Sequence, residues 1–583
     1  MRSKRPVFMP QHSPRELPAK YYLDYFEYLI GFVDKQYAQL LNDREMKFIR
    51  QFRALSEEGR CLFIRLVNRR GNFFRTQKLS YQEISDFVQT LEELCRQGFI
   101  SHFCNEHEPE TNEVLDLFTK PELVQLLPRL ELKPATFSKY RKPELLTYLL
   151  ENVPFVTLQE LLQGSEPIIR QGFHEEIEML KFLFFGNLYG DMTEFVIRDV
   201  WDLRYESFDD TKFTPLFHSR KEAEDKYLLS KTYQLFKQMR DVIPPTDIYN
   251  WFMEGIAQQT GWEPAAQAVF DKLALRLASL LEKKGLLDQA LRTYQYTAQA
   301  PSRERQVRLL HKLKLLPEAM ALCEQIKFSP QNADEKFFAA DFIQKLENDM
   351  ARQLAKQSRS KALRKSTTNL LKASEAITVS ETFKYQVEQG VIHYLSERNH
   401  TAVHTENYLW CSFFGLLCWD LIFDEDQKAI HHPLQRAPSD LYTSHFLDKR
   451  RERFKERLDL LHDRKAFTEL IERTFREKYG MGNPMVGWHE SLLDLVLVCY
   501  DKVKPLPLQK VMLEMAKNLR EHTRGFPDLF AWNEEDYCFI EVISPNDHLS
   551  AQQLYWLQFF SENGIQAKVL RVEWETSVEN NPM

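Results

Sequence analysis

The sequence predicts a multidomain, mainly α-helical chain that closes in a smaller α/β domain. Three observations carry this expectation. The 583 residues are too many for one core, since domains usually hold roughly 100–200 residues, so three to five units are expected. Gly is sparse, at 18 residues in a globular balance of 43% hydrophobic and 28% charged, which favours helices over turn-rich sheets. Near the C-terminus, two short β-patterned runs joined by a polar turn precede a helix and a further strand.

The formal charge of −7 argues against wholesale coating of nucleic acid, although phosphate affinity depends on local Lys/Arg patches. The eight cysteines form no CxxC pair and mostly sit in apolar runs, which fits a reducing compartment and no disulfide framework. Residues 1–18 are basic and Pro-containing without the apolar core of a signal peptide, so secretion is not expected. A cytoplasmic place is expected instead, nucleoid-associated in a bacterium or nuclear in a eukaryote. The longest apolar stretch, from Tyr408 to Phe423, is shorter than the roughly 18 residues a span needs and runs into Asp-Glu-Asp. It reads as a buried helix, with no membrane partner.

Residues 1–118 form the first expected region. Two helical patterns lead to Leu91-Glu-Glu-Leu-Cys-Arg-Gln-Gly98, a helix stopped by Gly, and then to Phe99-Ile100, which suits a short strand. The order looks like a winged helix, a DNA-binding plan. Arg65, Arg69, Arg70 and Arg75 stand beside aromatic residues, as either a phosphate-contacting surface or a solvated basic face would have them. In residues 119–153, KPELVQLLPRL and RKPELLTYLLE place Pro in the first turn of two short helices, where its missing N–H costs nothing. The pair resembles a SAP module, though other helical hairpins share the pattern.

Residues 154–350 are expected to be helical and tetratricopeptide-like. GLLDQALRTYQ and KLKLLPEAMALCEQI place the small residues Ala290 and Ala319 at helix contacts. Between them, Arg303, Arg305 and Arg308, with Lys312 and Lys314, are candidates for a phosphate pocket, against the commoner alternative of a solvated face. Residues 351–374 are polar and basic, and read as a connecting segment. Residues 375–583 carry the chemistry.

There, Arg524-Gly-Phe-Pro-Asp528-Leu-Phe-Ala-Trp532 and Cys538-Phe-Ile-Glu541-Val-Ile543 flank an acidic turn and predict a hairpin. Asp528 at the mouth of one strand and Glu541 inside the other bring two carboxylates close, which is costly without a cation between them. Hard oxygen donors suit Mg²⁺ or Mn²⁺. Two solvent-facing acids would give the same spacing. The following run supplies a turn, a Ser or Asp cap and a helix with Leu554, Trp556 and Leu557 for packing, and Ala567-Lys-Val-Leu-Arg-Val572 adds a strand. Strand, strand, helix, strand with acids on the first two strands is the core plan of restriction-endonuclease-like folds.

The series PD, EV and SPNDHLSAQQLYWL resembles the VRR-NUC domain, and specifically the Fanconi-associated nuclease family. His404-Thr-Glu406-Asn-Tyr-Leu-Trp, HHPLQRAPSDLY and NPMVGW agree with that family upstream. The likeness covers the nuclease half clearly and the winged-helix, SAP-like and repeat parts in outline. It implies that Glu406, Asp528 and Glu541, with the Val542 carbonyl, hold the metal ion, and that Gln553 is the motif glutamine supporting catalysis. It also implies that Arg520 helps grip a 5′-terminal phosphate, to which a guanidinium can donate two hydrogen bonds. The implied substrate is branched or 5′-flap DNA, cut as an exonuclease or flap endonuclease during repair, including repair of interstrand cross-links. Glu406 alone would also suit a helix-terminal acid favoured by the dipole. His404, His431 and His432 keep the company of carboxylates, so zinc is not expected and His404 reads as supporting or structural.

One position departs from the family. Where the motif continues E-V-K-G, this chain has Glu541-Val542-Ile543-Ser544. Losing an electrostatic group of that kind costs about 10²–10³ in rate. Lys568 on the next strand, or a second metal ion, are the conceivable replacements. Two readings stand: a nuclease slowed by Ile543, or a junction-binding adaptor without catalysis. A purely helical scaffold is a third. Oligomeric state, monomer or homodimer, and protein partners stay open.

Overall fold

A computed structural model describes residues 16–164, 166–200, 204–209, 211–259, 261–355, 366–545 and 547–575. The basic N-terminal residues 1–15 and the middle of the expected connecting segment, 356–365, lie outside the described residues. Contacts divide the chain into two units. The N-terminal one runs to Asp202 and takes in Pro215–Tyr227; the other comprises Leu203–Thr214 and the chain from Leu228 onward.

In the N-terminal unit, helix Asp43–Ala54 starts at a reciprocal cap between Asn42 and Glu45, and helix Glu57–Val67 at Ser56. Helix Phe87–Arg96 is capped by Asp86 and followed by Gly98 at φ +79, which turns the chain into a strand as expected. Strands β1 (Phe73–Arg75) and β2 (Ile100–His102) flank β3 (Ile168–Gln171), both antiparallel to it. The central strand therefore comes from the segment expected to open the tetratricopeptide-like region. The SAP-like helices, Lys120–Leu126 and Lys142–Asn152, are inserted between β2 and β3 with a core around Leu123, Leu127, Leu145 and Leu149. Boundaries at 118 and 153 cut across this sheet, because β3 is only four residues long and its partners are remote in sequence.

The arginines offered as a DNA surface here are partly committed. Arg75 is 11% exposed and paired with Glu122 and Glu166. Arg65 pairs with Glu83, and Arg69 donates to the Tyr81 hydroxyl.

In the second unit, helices Pro264–Lys283, Leu287–Tyr294, Ser302–Lys312, Leu316–Phe328 and Ala333–Ala355 pack one after another. Ala290 and Ala319 are fully buried at these contacts. The last helix overruns the expected end at 350, because Phe338, Phe342 and Leu346 repeat every fourth residue and hold it on the core. Helix Ser366–Ala373 occupies the end of what reads in sequence as a connecting segment.

The C-terminal domain holds a five-stranded sheet. Its strands are β4 (Glu375–Val379), β5 (Thr401–His404), β6 (Leu529–Trp532), β7 (Tyr537–Ile543) and β8 (Ala567–Trp574), in the order β4-β8-β7-β6-β5. β8 is parallel to β4 and β7, while β6 is antiparallel to β7 and β5. Helix Val387–Ser396 packs with Leu529, Ile540, Val542 and Leu570 on one face; helix Ala551–Glu562 packs with Ile543 and Val569 on the other. Helix Tyr408–Leu417 is buried through Trp410, Phe413 and Phe414, as its composition predicts. Among the described residues, no helix is long and apolar enough to cross a membrane.

Candidate metal centre

The β6–β7 register determines the site. Leu529 pairs with Ile540, so one step outward Asp528 lies opposite Glu541. The Val542 N–H donates to Asp528 Oδ2 at 2.9 Å. The Asp528 carbonyl accepts the N–H groups of Thr405 at 2.7 Å and Glu406 at 2.9 Å. Glu406 sits at φ +40, two residues ahead of the helix that begins at Tyr408. Its Oε1 accepts from Asn407 Nδ2 at 2.9 Å, and Asn407 Oδ1 accepts the Phe526 N–H at 3.2 Å. Asn407 thereby ties Glu406 to the segment that leads into β6 and carries Asp528.

Gln553 reaches the pair from the other side, its Nε2 donating to Glu541 Oε1. A capping box holds it: the Ser550 N–H donates to Gln553 Oε1 at 2.8 Å, and the Gln553 N–H to Ser550 Oγ at 3.2 Å. The approach to Asp528 is equally constrained. Gly525 has φ +80, and a Cβ there would stand 2.8 Å from the Gln552 carbonyl carbon, so only glycine fits. Phe526 stacks on Trp556 with ring centres 4.1 Å apart.

Glu541 is 1% exposed, and among the described residues its Oε2 accepts no hydrogen bond. Burial, reinforced by the charges of Asp528 and Glu406, pushes its carboxyl well above the usual range, against the Gln553 donor. Burial likewise raises Asp528 to about 7; Glu388, Glu406 and Asp547 add to the rise, and the Val542 N–H opposes it. An orphaned oxygen on a buried carboxylate beside a second carboxylate is what a hard cation satisfies, so the donor set fits a divalent ion bound through oxygen.

The arrangement is incomplete as a cage. Glu406, Asp528 and Gln553 line one cleft of about 370 Å³ with Asp334, Glu521 and Arg524. Among the described residues no three acids, histidines or cysteines converge into a closed ligand group. Asp528 and Glu541 come together, while Glu406 borders the cleft. The histidines stay outside it: His404 ends β5, His431 is spent on the Thr214 carbonyl and Ser439 Oγ, and burial drives His432 down to about 3. For Val542 the structure gives a role to the N–H, on Asp528.

Ile543 lies in an apolar cluster with Leu549, Leu554, Leu557 and Val569. Lys568 stands on the face of the sheet away from Glu541. It pairs in register with Ile540, whereas Val569 pairs with Glu541, so alternation puts Lys568 on the opposite face. Its Nζ is bound to Glu375 at 3.0 Å.

The phosphate candidates part company. Arg520 and Arg305 line one cavity of about 990 Å³ together with Lys272, Arg276, Lys283 and Lys312, six cations against the single carboxylate of Glu282. Arg303 does not line it, being bound to the buried Glu335 and the Ser329 carbonyl. Nor does Arg308, which pairs with Glu304 over the Phe338 ring. Sequence reasoning missed Asn407 and gave no role to Arg524, although both stand within the motifs it quotes.

A pair of facing acids at the open end of the β6–β7 hairpin, backed by a helix and a parallel strand, defines a restriction-endonuclease-like nuclease domain. Comparison with known proteins agrees. Residues 463–574 match the model of the VRR-NUC domain and residues 20–101 that of the "FAN1, HTH domain". A Fanconi-associated nuclease 1 homolog from Pseudomonas aeruginosa is 30% identical, over 97% of this chain and 98% of that protein. The Fanconi-associated nuclease 1 homolog of Oryza sativa is 25% identical, over 94% of this chain and 62% of its own length. A crystal structure of paFAN1 bound to 2nt 5′-flap DNA with a gap matches with a TM-score of 0.81 at 27% identity, over 97% of this chain and all of that one. The chain belongs to the Fanconi-associated nuclease family.

Proposed function

We propose that this chain is a metal-dependent, structure-selective DNA nuclease that cuts 5′-flap or branched DNA in repair. The observation that carries the reading is the Asp528–Glu541 pair, with Glu541 fully buried and one of its oxygens orphaned among the described residues. In this reading Glu406, Asp528 and Glu541, with the Val542 carbonyl, hold Mg²⁺ or Mn²⁺. The bound ion supplies Lewis-acid stabilisation of charge on the phosphate. Gln553 fixes the Glu541 carboxylate, and Asn407 fixes Glu406. Arg520, in its six-cation cavity, receives the 5′-terminal phosphate. The match to paFAN1 bound to 5′-flap DNA supports that substrate class. The winged-helix and SAP-like parts serve as the duplex-binding modules.

A second reading, a junction-binding adaptor without catalysis, is favoured by Ile543 and by the position of Lys568. Labelled 5′-flap, 3′-flap, nicked and single-stranded substrates with Mn²⁺ or with chelator separate the two. The nuclease reading expects metal-dependent cutting of the 5′ flap in preference to the others. Salt-sensitive binding of the flap with every strand intact supports the adaptor instead.

A further inference from the structure

The cleft at the acid pair carries Asp334, Glu406, Glu521 and Asp528, with the buried Glu541 behind Gln553. A phosphodiester entering it meets carboxylates on several sides. A fixed positive group placed where negative charge builds on the phosphate would stabilise it. Position 543 cannot supply one, since Ile543 is packed among leucines, and Lys568 is bound on the far face of the sheet. Among the described residues lining the cleft, Arg524 is the sole cation.

Its placement combines a rigid base with a movable tip. The Arg524 carbonyl accepts the Trp556 indole N–H at 3.0 Å, and the next residue is Gly525, wedged against Gln552. The side chain is 61% exposed and held by one ion pair, to Glu521 at 2.9 Å. An exposed pair of this kind is weak and screened by salt, so a phosphate oxygen can take the place of Glu521.

We infer that Arg524 is a catalytic residue of this chain, its guanidinium leaving Glu521 to bind the scissile phosphate and offset the charge that builds there. The inference rests on the nuclease reading above. A guanidinium stays protonated throughout, so Arg524 stabilises charge and moves no proton.

The test uses the full chain on an end-labelled 5′-flap duplex with Mn²⁺ under single-turnover conditions, with flap affinity measured separately in chelator. Arg524→Ala is expected to slow cutting by about 10²-fold while flap affinity in chelator stays within about threefold. Tens of millimolar guanidinium chloride should restore part of the Arg524→Ala rate and none of the Asp528→Ala rate. Cutting indifferent to Arg524→Ala, a loss of affinity as large as the loss of rate, or no guanidinium rescue each overturns the inference alone. No cutting by the unaltered protein overturns the nuclease reading, and this inference with it.

Discussion

The Val542 N–H holds Asp528 Oδ2 at 2.9 Å, one hydrogen bond across the hairpin that aims a half-buried carboxylate at the fully buried Glu541. The bond keeps Asp528 oriented, yet it does not neutralise the charge, and burial raises Asp528 from 3.8 to about 7. A folded-state value above the unfolded one means that the folded protein keeps a proton the unfolded chain has lost. The charged form therefore costs stability from about pH 4 upward, and in full above about pH 7. In chelator, Asp528→Asn should raise the melting temperature at about pH 8 and leave it unchanged at about pH 4. The shift expected is roughly 2–4 °C per kcal/mol recovered. Equal melting temperatures at the higher pH would contradict the picture of two uncompensated acids.

Ile543 shares its face of β7 with Glu541, two residues away. Ile543→Lys inserts an ammonium into the apolar cluster beneath helix Ala551–Glu562, where the lysine stem can pack and its tip can approach Glu541. The variant should cut flap DNA about tenfold or more faster, while melting lower than the unaltered protein. A rate unchanged or reduced, with the fold intact, would show that position 543 no longer limits the chemistry.

Gln553 has two duties, capping its helix with Ser550 and donating to Glu541. Gln553→Ala removes the bond to Glu541 and the side-chain acceptor for the Ser550 N–H, while Ser550 Oγ still accepts the backbone N–H of residue 553. Loss of that one side-chain bond should cost about 0.5–1 kcal/mol, read by thermal melting, and the freed Glu541 should lower cleavage more than flap affinity. A variant that melts lower but cuts at full rate would reduce Gln553 to a helix cap.

Arg520 stands in the six-cation cavity rather than at the acids. Arg520→Ala should weaken binding of a 5′-phosphorylated flap by about tenfold, the worth of a charge-assisted contact, and leave a 5′-hydroxyl flap nearly unaffected. Equal losses on both substrates would make the cavity a general backbone contact.

Much of the nuclease domain is legible in the sequence, because its signals are local. Short apolar runs on either side of a polar turn mark β6 and β7, Ser550 marks its helix, and the acid spacing marks the pair. What escaped notice depends on remote partners. β4 and β5 are short edge strands recognisable mainly by what they pair with, and β3 joins its sheet across an insertion. The arginines mislead for the same reason. Arg303 and Arg75 look free in sequence, yet each finds a carboxylate more than 30 residues away, whereas Arg524 reaches the acid cleft from within the motif itself.

The most direct test of the central claim, that Asp528 and Glu541 form the working centre of a nuclease, is single-turnover cleavage of an end-labelled 5′-flap duplex with Mg²⁺ or Mn²⁺. The unaltered protein and Asp528→Ala are compared at equal occupancy of the flap. The unaltered protein should cut near the junction only when the metal is present, and Asp528→Ala should bind the flap and leave it whole. A flap bound and left intact by both proteins, or cut equally by both, would contradict that claim.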